Sequence, residues 1–113
     1  MATDIRAKLS NCEVSAQKAR LVVDMVRGKP VVEAINILNF TPKLAARHVN
    51  KLLRSAVANA EENFGVSRDD LYVYAITADE APTRKWRRFG ARGRFKPILR
   101  RSSHITVVLR ERE

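Results

Sequence analysis

Leu71-Tyr-Val-Tyr-Ala-Ile-Thr-Ala78 and Ile105-Thr-Val-Val-Leu109 are two β-prone runs, and between them lies Thr83-Arg-Lys-Trp-Arg-Arg-Phe-Gly-Ala-Arg-Gly-Arg-Phe-Lys-Pro97. A strand, a basic segment whose glycines are Gly90 and Gly93, and a returning strand predict a long hairpin. At about 3.3 Å per residue, arms of about ten residues reach on the order of 30 Å. Much of that length projects beyond any core that the rest of the chain can build.

Upstream of the hairpin the periodicity changes. Residues 4–13 alternate, with Ile5, Ala7 and Leu9 on one face and Arg6, Lys8 and Ser10 on the other, which predicts a first strand. Ser15 then reads as a helix N-cap, and Ala19, Val22, Val23 and Met25-Val26 supply an apolar stripe that Gly28 terminates. Lys29-Pro30 opens a short second helix with Ala34, Ile35 and Leu38 inward. A third helix is expected to start at a Thr41 cap with Pro42 in its first position. Its core face is Ala45, Val49, Leu52, Leu53, Ala56, Val57 and Ala60, its opposite face carries Lys43, Arg47, Lys51 and Arg54, and Gly65 ends it. Asp69-Asp70 marks a turn.

The reading is therefore α+β: a small three-stranded antiparallel sheet packed on three helices, with a long protruding basic β-hairpin. A chain of 113 residues is expected to be a single domain (1–113), in which residues 1–78 and 102–113 form a globular body and residues 79–101 an extended arm. No run approaches the roughly 20 apolar residues of a membrane span. The start, Met1-Ala-Thr-Asp-Ile-Arg6, lacks a signal-peptide core, and Asp4 argues against a transit peptide. A lone Cys12 fits a reducing compartment. A soluble protein of the cytoplasm is the expectation.

Charge is distributed very unevenly. The chain has a formal net charge of +10, and from Arg84 to Arg101 there are nine basic residues and no acidic one. The remainder holds 13 basic and 12 acidic residues, so a nearly neutral body carries a +9 segment. Such a block repels itself unless a polyanion neutralises it. Trp86, Phe89 and Phe95 are interleaved with the cations. Arginine grips phosphate bidentately and stacks on bases, and an aromatic ring stacks on an unpaired base for about 1–3 kcal/mol. That mixture suits irregular RNA, which is read by shape, stacking and phosphate contact.

Other chemistries lack their parts. Asp79-Glu80 beside the arm is read as a strand-end turn or as ion pairing with neighbouring arginines, because metal-assisted phosphoryl chemistry needs further carboxylates converging on the ions. His48 and His104 with one cysteine give no zinc spacing. Ser102-Ser103-His104 has no marked nucleophile or oxyanion site, and His104 reads equally as a strand-edge residue or an RNA contact. Tyr72 and Tyr74 read as sheet packing on a shared strand face. No cofactor, metal or catalytic residue is expected. A free-standing nucleic-acid-binding regulator accounts for the charge alone, and no recognition-helix arrangement supports it.

Several blocks in order resemble a known family, that of large-ribosomal-subunit protein twenty-two. They are Ser15-Ala-Gln-Lys-Ala-Arg-Leu-Val-Val-Asp-Met-Val-Arg-Gly28, Ser55-Ala-Val-Ala-Asn-Ala-Glu61, Asp79-Glu80-Ala-Pro82, and Ala91-Arg-Gly-Arg94 followed by Ser103-His-Ile-Thr-Val107. The resemblance implies a body docked on ribosomal RNA, a role in subunit assembly, and a hairpin lining the nascent-peptide exit tunnel near the macrolide site. Arg92, Gly93 and Arg94 match the family's Arg-Gly-Arg near the hairpin tip, and Lys18 and Arg20 fall in the first-helix motif whose basic side chains face RNA.

The expected RNA-binding set is therefore Lys18, Arg20, Arg84, Lys85, Trp86, Arg87, Arg88, Arg92, Gly93, Arg94, Lys96, Arg100 and Arg101. Expected partners are large-subunit ribosomal RNA, neighbouring ribosomal proteins and the nascent peptide, with no membrane and no homo-oligomer. The expected location is the cytoplasmic ribosome, with a plastid ribosome as the alternative. The chain departs from the family at the tip. Phe89-Gly90 stands where many bacterial members have Pro-Arg, and Phe95 where many have Ala, so tip shape and drug response do not carry over.

Overall fold

The alternating run at the start forms strand β1 (Ile5–Cys12), and three helices follow: α1 (Ala16–Val26), α2 (Val31–Asn39) and α3 (Leu44–Phe64). A 3-10 turn (Arg68–Asp70) leads into β2 (Leu71–Glu80), and β3 (Arg84–Phe89), β4 (Phe95–Arg100) and β5 (Ser103–Glu111) complete the chain. This computed structural model describes residues 4–82, 84–89 and 95–112, with 84–89 and 95–100 described by their backbone pairing.

Helix boundaries follow local chemistry. Ser15 Oγ accepts the Lys18 N–H at 3.5 Å, opening α1 as expected. Gly28 adopts φ +80°, a left-handed conformation that favours glycine. There its N–H donates to the Val73 carbonyl at 2.9 Å, while the Val73 N–H donates to Lys29 O, also at 2.9 Å. The end of α1 is thus clipped onto β2. Met25, read as part of the apolar stripe, is 38% exposed; Ala16, Ala19, Val22, Val23 and Val26 are buried instead.

The start of α3 differs from the expectation. Thr41 does not cap it. Its hydroxyl donates to Ile37 O at 2.7 Å and its N–H to Leu38 O at 3.3 Å, so Thr41 closes α2. Pro42 lies in the link, and an extended Lys43 (φ −132°, ψ 143°) occupies the N-cap position. The core face of α3 is as read, with Ala46 added to Ala45, Val49, Leu52, Leu53, Ala56, Val57 and Ala60. Gly65 (φ +64°) turns the chain out of the helix, and the Val66 N–H reaches back to Ala60 O at 3.2 Å.

The sheet has the order β1-β5-β2 and is antiparallel throughout, so the last strand is the central one. Ile5 pairs with Leu109 and Leu9 with Ile105, which aligns apolar residues on the helix-facing side. In β2 the register shifts between Val73 and Ala75. That bulge changes the phase of the inward residues from Leu71 and Val73 to Ile76 and Ala78, and leaves Tyr74 46% exposed. One apolar core lies between this sheet and the three helices.

The β2–β5 ladder runs to Glu80 opposite Ser103, and the Ala81 N–H still donates to Ser102 O at 3.1 Å. β3 and β4 then pair as a two-stranded antiparallel hairpin from Arg84–Arg100 to Phe89–Phe95. A compact chain of this length has a radius of gyration of about 13 Å. The observed value is 17.1 Å, and the principal extents are 64 × 25 × 19 Å. The fold is thus the expected α+β body with a hairpin drawn out along one axis.

Candidate nucleic-acid interface

The hairpin is mounted on a stiff root. Ser103, the one buried polar side chain among the described residues, donates its hydroxyl to Val14 O at 2.7 Å. Next to it, His104 Nδ1 accepts the Asn11 N–H at 3.0 Å, where Asn11 takes φ +55°. His104 is thus engaged near the start of the central strand, beside the irregularity in the β1–β5 ladder. From the other side, Arg20 Nε donates to Ala78 O at 3.0 Å and an Arg27 amino group to Ile76 O at 2.8 Å. Arg20 of α1 and Arg27, the residue just past its end, therefore tie the helix to the strand that leads into the arm. Arg27 also bonds Asp24 at 2.6 Å.

Of the expected RNA-binding residues, Arg84, Lys85, Trp86, Arg87 and Arg88 lie on β3, and Lys96 and Arg100 on β4. The register sets Arg84 opposite Arg100 and Arg88 opposite Lys96. Like charges directly opposite each other destabilise a strand pair. A hairpin built this way gains from an external polyanion, and that pairing could not be read from the one-dimensional charge count. Arg92, Gly93 and Arg94 fall outside the described residues.

At the arm's root, Lys18 and Arg101 line one concavity of about 660 Å³, together with Lys43, Leu21, Leu44 and Glu13. Leu21 and Leu44 are 57% and 56% exposed there. An apolar floor with three cations at its edge suits a nucleotide, since the base can bury its face while the phosphate meets the ammonium and guanidinium groups. Lys18 and Arg101 are brought together; Arg20, spending its Nε–H on Ala78 O, does not line that space. Lys43 is absent from the expected set, although its place on the basic face of the third helix was visible.

The open face of the sheet carries a separate polar cluster. Arg110 Nε donates to Asp4 Oδ1 at 2.5 Å, and the guanidinium carbon lies 3.4 Å from the centroid of Tyr74, over its ring. The hydrogen bond from Arg110 is the main reason the Asp4 carboxyl is held below its ordinary range. Tyr72 and Tyr74 meet edge to face at 6.3 Å, in keeping with their reading as sheet packing.

Asp79 and Glu80 are exposed at the end of β2, opposite His104 and Ser103. Among the described residues, no three His, Cys, Asp or Glu side chains converge as a metal site would require, and no helix is long and apolar enough to cross a membrane. Residues 7–110 match the family described as ribosomal protein L22p/L17e. The chain belongs to that family.

The family is a structural component of the ribosome and not an enzyme, and this member is a structural constituent of the ribosome in the cytoplasm. The chain is 48% identical over 111 residues to "Large ribosomal subunit protein uL22" of Pediococcus pentosaceus, covering 98% of this chain and 94% of that one. The protein of the same name from Caldicellulosiruptor saccharolyticus is 51% identical over 107 residues, covering 95% and 88%. That from Ligilactobacillus salivarius is 49% identical over 107 residues, covering 95% and 93%. The family match spans both the body and the arm, so the hairpin is part of what the family shares in length.

Proposed function

We propose that this chain is built into the large ribosomal subunit, where its body docks on ribosomal RNA and its arm passes through the RNA to line the nascent-peptide exit tunnel near the macrolide site. The observation that carries this reading is the β3–β4 hairpin, whose cross-strand partners include two pairs of like cations. A free protein derives no benefit from that arrangement, whereas packed phosphate on both sides neutralises it.

Lys18 and Arg101 at the root, Arg20 on α1 and the arm's basic residues and Trp86 form the RNA-facing set, with Arg92, Gly93 and Arg94 assigned to it by the family motif. The body (1–78 and 102–113) anchors and the arm (79–101) reaches, within one domain and one copy per particle. Neighbouring ribosomal proteins meet the body, and the nascent peptide passes the arm. Placing RNA around the arm during folding of the particle gives the chain its role in subunit assembly.

A photo-crosslinking residue at position 89, the end of β3, tests the tunnel placement. In ribosomes stalled on a labelled nascent chain, it is expected to join that peptide, while the same residue at position 62, exposed near the end of α3, does not. Labelling from position 62 and none from 89 would contradict the placement.

A further inference from the structure

The two edges of the β1-β5-β2 sheet are finished differently. On β2 the chain closes its own edge: Gly28 and Lys29 exchange hydrogen bonds with Val73, and Pro30 bridges to Tyr72. Further along, Arg20 and Arg27 take the Ala78 and Ile76 carbonyls. β1 is the opposite edge, and its ladder with β5 is regular from Ile5–Leu109 to Leu9–Ile105. Among the described residues, no hydrogen bond reaches the backbone of residues 5–10 from any element but β5; the Asn11 N–H to His104 is the first beyond them. In an antiparallel pair every second residue turns its N–H and C=O away from the partner strand. This stretch of roughly 16 Å therefore offers a row of free main-chain donors and acceptors.

A groove runs beside the same edge. Lys8 and Leu9 of β1 and His48, Lys51, Leu52 and Ser55 of α3 line a concavity of about 250 Å³. Ala7 and Leu9 lie on the inward side of β1 with the buried Ile5, yet both are only half-buried. His48 Nε2 is buried without a hydrogen-bond partner. Leaving such an atom unpaired is costly, and a hydroxyl or peptide group entering the groove satisfies it. On the open side of β1, Arg6 and Lys8 are exposed. Charge of this kind blunts an edge against its own likeness. A second copy pairing through β1 sets Arg6 and Lys8 against the same cations, whereas a strand with acidic side chains at those places gains from them.

We infer that the free edge of β1 is a protein-docking site, where an extended segment of a neighbouring ribosomal protein adds as a fourth strand. The row of main-chain groups asks for a peptide. The groove asks for small apolar or hydroxyl side chains at alternate positions, and Arg6 and Lys8 ask for acidic ones between them. The inference rests on the ribosomal reading above and names one protein contact within it.

The test places a photo-crosslinking residue at position 8 or 10 of the full-length chain within intact large subunits. Both positions are exposed beside the edge. Position 77 is the control: Lys8 and Thr77 both pair with Thr106, so Thr77 is the equivalent place on the closed edge. Positions 8 and 10 are expected to join one segment of one neighbouring ribosomal protein, and position 77 is not. That segment is then made as a synthetic peptide and added to the free full-length chain.

Amide exchange over residues 5–9 is expected to alternate between slow and fast in the free chain, and the peptide to slow the fast members by about tenfold or more. Arg6→Glu with Lys8→Glu alters only exposed positions and is expected to abolish the crosslink and the slowing with an unchanged melt. Arg6→Lys keeps both. Crosslinks from positions 8 and 10 to RNA alone, to a second copy or to nothing overturn the inference and leave the proposed function standing. A protein crosslink whose peptide leaves the alternate amides fast overturns it as well. Absence of the chain from large subunits defeats the ribosomal reading, and the inference with it.

Discussion

Replacing Arg84, Arg87, Arg88 and Arg100 together with glutamine is expected to leave the body folded and to remove the chain from assembled large subunits. The core that sets the melting temperature is built from α1, α2, α3 and the strands β1, β2 and β5. Neutralising Arg84 and Arg100 relieves one like-charge cross-strand pair, and neutralising Arg88 relieves its repulsion with Lys96. Neither change destabilises the hairpin. Four lost phosphate contacts lower affinity for RNA on the order of 100-fold at physiological salt. Competition against the wild-type chain during reconstitution reads that loss directly. Equal incorporation of the variant, with an unchanged melt, would show that the arm is not the RNA anchor.

The second large effect is on stability. Leu53 is fully buried on α3, the longest helix and the one that packs against the other helices and β1. Leu53→Ala removes three carbons' worth of packing from the centre of the core and is expected to cost about 3 kcal/mol. For a domain of this size each kcal/mol shifts the melting temperature by about 4–8 °C, so the midpoint should fall by 12 °C or more, roughly. Its sequence neighbour Arg54 is exposed, and Arg54→Ala should stay within about 0.5 kcal/mol. The two substitutions, one residue apart, separate packing from surface charge. A Leu53→Ala loss below about 1 kcal/mol would mean that α3 is not the spine of the core.

What the sequence disclosed was set by periodicity. The face of α3 from Ala45 to Ala60 was legible because apolar spacing of three and four residues over five turns has few other solutions. The two strands flanking the basic segment were legible for a similar reason, and β2 and β5 each extend beyond the quoted runs. Thr41-Pro42 misled because the pair is chemically able both to close one helix and to open the next, and the Ile37 carbonyl settled which. The bulge at Tyr74 shifts the phase of the period-two pattern, but every position of the run Leu71–Ala78 except Thr77 is apolar or aromatic, so the shift does not stand out.

The candidate site was legible as a charge asymmetry, which needs no geometry. Its supports were not. Arg20 was read as facing RNA, yet it also fastens α1 to the Ala78 carbonyl, and Ser103 pins the arm's root to Val14. Both bonds join residues 58 and 89 positions apart, so no local pattern announces them. The facing of Arg84 with Arg100 likewise exists only once the hairpin register is known.

The central claim, that this chain is an integral part of the large ribosomal subunit, is tested most directly by sedimentation. The tagged chain is run from lysate through a sucrose gradient at about 0.5 M salt, where contacts made by phosphate attraction alone weaken steeply, with a log–log slope on the order of −6 or steeper for an arm of this charge. Co-migration with the large subunit at that salt is the expected result, because a hairpin enclosed by folded RNA is held by shape as well as by charge. Release to the top of the gradient would contradict the claim and leave a loosely attached nucleic-acid binder.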